Sequence, residues 1–100
     1  MSTEPTDEPV DLEATAKAGK TPPKAKRYRI RIDKEYRVVA AHGLTGTEIL
    51  ALVGKTPTTH LLSQKKHGGA VLPIGATEFV DFTTPGIERF QTIARDPTEG

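Results

Sequence analysis

The sequence predicts an α+β domain of about 70 residues in which one short helix covers a mixed sheet. Three observations carry this: a strict period-two alternation starting near Tyr28, a helix start with a complete capping signature at Thr45, and a series of short β-rich runs after it.

In Lys26–Ile32 the side chains of Tyr28, Ile30 and Ile32 fall on one face and those of Arg27, Arg29 and Arg31 on the other, the mark of a half-buried strand. Asp33-Lys34-Glu35 makes a polar turn, and Tyr36–Ala40, rich in β-formers, completes a hairpin. Thr45 is the N-cap, with Glu48 three residues on to close a capping box, and Leu44 and Ile49 are spaced as a hydrophobic staple. Ile49, Leu52 and Val53 share one face, Gly54 supplies a left-handed cap, and Pro57 blocks continuation. A helix of about two and a half turns is unstable alone, so it must lean on the apolar face of the hairpin.

Thr58–Ser63 reads as a third strand, Gln64–Gly69 as a polar turn, and Val71–Ile74 as an extended piece that Pro73 confines to an edge. Glu78–Phe82 is another short extended segment and Thr84-Pro85-Gly86 a turn. Glu88–Ala94 is the last strand, with helix as the alternative; β-branched Thr92 and Ile93 favour strand. Gly68-Gly69 is read as a turn using positive φ, because cleavage there would remove the last strand. Hairpin, helix, then short strands is the order of the ubiquitin-like β-grasp, which places the domain at 26–94, between a disordered leader over 1–25 and a flexible tail over 95–100.

Composition narrows the chemistry. Apolar residues are 35% and aromatics 5%, with no Trp and no Cys, which excludes a disulfide scaffold, a thiolate metal site and a Cys nucleophile. No membrane span or signal peptide is present in the sequence, so a cytoplasmic protein is expected. The net charge of +1 conceals an asymmetry. Residues 1–16 hold five acids (Glu4, Asp7, Glu8, Asp11, Glu13) and no base, whereas Lys26–Arg95 holds 11 bases against 6 acids. Sparse apolar residues and four prolines give the leader too little to bury, although its acids are placed to fold back weakly on the basic strand.

The segments Tyr28–Tyr36 and Leu44–Gly54, with Val80-Asp81-Phe82 and Gly86-Ile87-Glu88-Arg89-Phe90, resemble the bacterial multiubiquitin family over roughly residues 26–95. The T-G-x-E-I-L helix start and the G-I-E-R-F strand start are the most specific pieces. The resemblance implies a β-grasp modifier, here in single-unit form. It also implies partners resembling an activating enzyme, a conjugating enzyme and a metal-dependent deubiquitinase-like peptidase, besides a target protein. The chain itself binds no cofactor on this reading; ATP is used by the activating enzyme. A modifier's chemistry lies at its C-terminus, so Gly100 is the candidate for activation, with Glu99 and Thr98 as the supporting tail. Glu99 departs from the Gly-Gly ending of ubiquitin and the sulfur carriers.

His42, His60 and His67 lack ligand spacing, and Ser63 has no Asp–His pair in reach, so neither a metal site nor a catalytic residue is expected. Arg27, Arg29 and Arg31 form a basic stripe suited to carboxylates, a candidate docking face for an acidic partner. Without outward aromatics between the arginines, the stripe argues against nucleic acid. The alternatives to a modifier are a non-covalent adaptor using this face and a sulfur carrier using the tail.

Overall fold

The computed structural model describes residues 8–95. Its elements are β1 (Val10–Asp11), α1 (Leu12–Lys17), β2 (Tyr28–Ile32), β3 (Glu35–Val39), β4 (Gly43–Thr45), α2 (Gly46–Ala51), β5 (His60–Lys66), β6 (Val71–Ile74), β7 (Phe79–Asp81) and β8 (Ile87–Ala94). β3 pairs antiparallel with one edge of β2 along its whole length. The other edge of β2 is divided: β1 runs parallel to it at Tyr28 and Arg29, and β8 runs parallel to it at Ile32. β8 then pairs antiparallel with β5, and β5 with β6. The order β3-β2-β8-β5-β6, with a helix over one face, is the β-grasp. β4 and β7 form a separate two-stranded sheet among the described residues.

The alternation of β2 is realised side chain by side chain. Tyr28, Ile30 and Ile32 are fully buried, and they share the core with Ile49 and Leu50 of α2, Leu62, Phe82 and Phe90. Tyr28, Phe82 and Phe90 pack in sequence, the first pair tilted and the second edge-on, with centroids 5.7 and 6.4 Å apart. The Tyr28 hydroxyl, buried with its ring, donates to the Pro23 carbonyl at 2.7 Å and accepts from the Ala25 N–H at 2.9 Å.

The capping box at α2 is complete: Thr45 Oγ1 accepts from the Glu48 N–H at 3.2 Å and Glu48 Oε1 from the Thr45 N–H at 2.9 Å. The α-helix proper ends at Ala51, and a tighter turn carries the chain to Gly54 at φ 74°. The first turn of α2 also receives the 75–78 loop, whose Glu78 and Ala76 carbonyls accept from the Gly46 and Thr47 N–H groups. A Cβ on Gly46 would run into the Gly75 carbonyl. This is the physical reason for glycine in the T-G-x-E-I-L segment.

The later strands lie close to their expected places, with β5 extending to Lys66, a turn at His67–Gly69 and β8 starting at Ile87. Gly68 and Gly69 turn at φ 102° and 101°, and Pro73 sits in the outer strand β6. β4 was not expected, because three residues against β7 are too few for a periodic signal.

Against the expectation of disorder over 1–25, the described part of the leader carries structure at residues 10–17. Residues 10–17 are strand and helix, Leu12 and Ala16 are 2% exposed, and α1 packs against both β2 and β8 where those strands diverge. The expectation rested on apolar density, but two apolar side chains spaced i, i+4 suffice when the flanking Asp11 and the intervening Glu13 find fixed partners on the sheet. Residues 1–7 and 96–100 lie outside the described residues, and Arg95 is held by its N–H on the Thr59 carbonyl at 2.9 Å.

Gly46→Ala provides a test in which propensity and packing oppose each other. Propensity alone favours Ala in a helix by about 1 kcal/mol. The backbone clash with Gly75 reverses the sign, and a net loss of about 1–3 kcal/mol is expected in urea unfolding.

Candidate functional site

The outer face of the hairpin carries the basic row. Pairing in register sets Arg31 opposite Tyr36 and Arg29 opposite Val38. The Arg29 guanidinium lies 4.1 Å from the centroid of the Tyr36 ring and that of Arg31 5.8 Å, both within cation–π range. The row is already occupied. Asp11 caps α1 through the Ala14 N–H at 3.2 Å and meets Arg29 Nη1 at 3.4 Å. Glu13 accepts from Arg31 Nη1 at 2.9 Å and from the Tyr36 hydroxyl at 2.8 Å, and Lys17 approaches it at 3.4 Å. Arg31 is locked from its other side by its Nε–H on the Asp33 carbonyl at 2.8 Å.

Burial pushes the Glu13 carboxyl up, but the hydrogen bonds from Tyr36 and Arg31, with Lys17 behind them, outweigh it and hold the acid below its ordinary range. Arg31 is raised, chiefly by the same bond to Glu13. Of the three expected docking arginines, Arg29 and Arg31 thus form one row with the chain's own acids. Arg27 precedes β2, and its carbonyl accepts the Val10 N–H at 3.1 Å.

A second cluster ties the hairpin turn to the last strand. Asp33, at φ 56°, accepts from the Thr92 N–H at 2.9 Å, the Thr92 hydroxyl at 2.6 Å and Lys55 Nζ at 3.3 Å. Burial raises this carboxyl, and the two Thr92 bonds and Lys55 lower it by more. This is a structural clasp: its donors are internal, and it fixes the strand from which the C-terminus departs.

The third feature lies one residue on from the clasp, near the C-terminal end of the same strand. Leu61 and Ile93 are cross-strand partners, and both stay exposed at 47% and 64%. Beside them a cleft of about 320 Å³ is lined by Leu50, Pro57, Ser63, Pro73, Gly75 and Arg95, among others. Arg95 reaches across to the Pro57 carbonyl at 2.7 Å. The Leu61-Leu62 doublet was the available signal: period two forces one of two adjacent strand leucines onto the outer face.

The family model for multiubiquitin matches residues 28–94. The chain belongs to the multiubiquitin family. No curated protein and no solved structure matched it. The matched span covers the hairpin, α2 and the later strands, so the multiubiquitin unit begins at Tyr28 and the segment bearing Asp11 and Glu13 lies outside it. Gly100, Glu99 and Thr98 lie outside the described residues. Among the described residues no three His, Asp or Glu side chains group as metal ligands: His67 faces Glu88 at 3.4 Å and His60 meets Thr59 Oγ1 at 2.8 Å. No helix among them is long and apolar enough to cross a membrane.

The lowered Glu13 and Asp33 carboxyls fix the sign of a pH dependence. Each binds its proton less tightly folded than unfolded, so the stabilisation is full above the unfolded value and is lost as pH falls through the folded one. Unfolding free energy should therefore fall on acidification from about pH 5 to about pH 3. The fall should be shallower in Glu13→Gln than in wild type.

Proposed function

We propose that this ubiquitin-like domain is a protein modifier, activated at Gly100 by a partner enzyme and joined to target proteins. The observation that carries the reading is the exit of β8. The strand is anchored near its C-terminal end by Asp33–Thr92, and from there passes the exposed Leu61–Ile93 pair to Arg95, five positions before Gly100. A rigid strand, an apolar face for a partner and a small terminal residue are what an adenylating enzyme needs to receive a carboxylate.

The chemistry then belongs to the partners. The Gly100 carboxylate oxygen attacks the α-phosphate of ATP, giving the acyl-adenylate and releasing pyrophosphate. A cysteine thiolate of the activating enzyme displaces AMP to form a thioester. After transfer to the conjugating enzyme, an acceptor amine displaces that thiolate and loses a proton, leaving an amide; an acceptor hydroxyl leaves an ester. A metal-dependent deubiquitinase-like peptidase returns the free carboxylate by hydrolysis. The domain needs no catalytic residue or bound cofactor of its own, and the pathway as read here is cytoplasmic.

Incubation with ATP and an activating enzyme of the pathway tests this by the appearance of a thiol-sensitive covalent adduct on a non-reducing gel. The adduct should form with wild type, disappear when Gly100 is deleted, and weaken in Leu61→Asp/Ile93→Asp. Equal adducts with and without Gly100, or none with either, would contradict the reading. An intact mass showing one oxygen replaced by sulfur, with no protein adduct, would assign the tail to sulfur carriage instead.

A further inference from the structure

The segment that covers the basic row is built from short elements. β1 has two paired residues and α1 six, far short of the roughly 12–15 an isolated helix needs in water. Asp11 and Arg29 keep 32% and 44% of their side chains exposed, so that pair is screened by salt. What holds the segment besides that exposed pair is Leu12, Ala16, the β1–β2 pairing and the Glu13 carboxylate on Arg31 and Tyr36. Downstream the chain is pinned again at Pro23 and Ala25 by the Tyr28 hydroxyl, which sets a fixed point from which residues 8–22 can lift as a unit.

Lifting it leaves a built site. β2 regains an open edge at Tyr28 and Arg29, the Leu12 socket empties, and Arg29, Arg31 and Tyr36 present two guanidiniums and a phenol in one row. The segment now bound shows what fits there: an extended pair of residues and one helical turn, with carboxylates two residues apart on either side of an apolar side chain.

We propose that this row, with the adjoining β2 edge and the Leu12 socket, is a docking site for an acidic segment of a partner protein with the pattern apolar-Asp-apolar-Glu, and that residues 10–13 are its resident occupant in cis. The site lies on the hairpin, away from the β8 exit, and is independent of the modifier reading. Tethering gives the resident segment an effective concentration of about millimolar, so a free segment competes only after the resident one is released.

The test uses the full chain, isotope-labelled and titrated with a synthetic peptide of residues 8–17. Leu12→Asp, which places a charge in the socket and releases the resident segment, should bind the peptide with shifts confined to Tyr28–Ile32, Tyr36 and the part of β8 that α1 covers. Wild type should bind it about tenfold more weakly or worse. Raising salt from about 50 to about 300 mM should weaken the complex, and Arg29→Glu/Arg31→Glu in the released chain should abolish it. Asp11→Asn/Glu13→Gln serves where Leu12→Asp does not fold: Asn keeps the helix cap, and loss of both charges should raise amide exchange in residues 12–16 and admit the peptide. Equal binding by wild type and the released chains would overturn the proposal, as would no binding by any of them or binding that survives the double Arg→Glu change. Oligouridine binding the released row in preference to the peptide would assign the face to nucleic acid and overturn it as well.

Discussion

The main sheet and the core of this fold are organised around β2. One face of that five-residue strand supplies Tyr28, Ile30 and Ile32 to the core, and the other holds Arg29 and Arg31 outside it. One edge is filled by β3 and the other is shared by β1 and β8. Because side chains alternate with period two, these assignments are linked: a slip of one residue would bury arginines and expose the aromatic core. The constraint fixes the position of the last strand as well. Asp33, the residue after β2, takes its positive φ in a turn that brings its carboxylate onto Thr92 and its N–H onto the Phe90 carbonyl.

The same constraint explains how a small, aromatic-poor chain assembles a core. Tyr28, Phe82 and Phe90 come from three separate segments and meet in one stack, while the short α2 contributes Ile49 and Leu50. The helix is kept short and close by Gly46 against Gly75, and its free N–H groups are satisfied by Thr45, Glu78 and Ala76. Local capping and tertiary packing therefore point to the same structure, which is what a minimally frustrated sequence requires.

What was legible in the sequence was whatever depends on neighbours along the chain. The alternation of β2, the Thr45–Glu48 box and the Gly68-Gly69 turn are local patterns, and each appears in the fold where the sequence puts it. What was not legible depends on partners far apart. The acids of the leader are expected to fold back only weakly, and the fixed pairing of Asp11 with Arg29 and of Glu13 with Arg31 and Tyr36, 18 and 23 residues away, emerges only in the fold. Asp33 looks like an ordinary turn residue, although its partner Thr92 lies 59 positions on. In the basic stripe Arg29 and Arg31 meet carboxylates of the chain itself, Asp11 and Glu13. For the candidate site the limit was similar: Leu61 and Ile93 become one surface only through the β5–β8 register.

The claim on which this account turns is that the Glu13 carboxylate closes the N-terminal segment onto β2. A double-mutant cycle on Glu13→Gln and Arg31→Met, read by urea unfolding at low salt, measures it most directly. The account predicts a favourable coupling that shrinks as salt is added. Additive effects, with the amides of residues 12–16 exchanging as freely as those of an unfolded peptide, would contradict it.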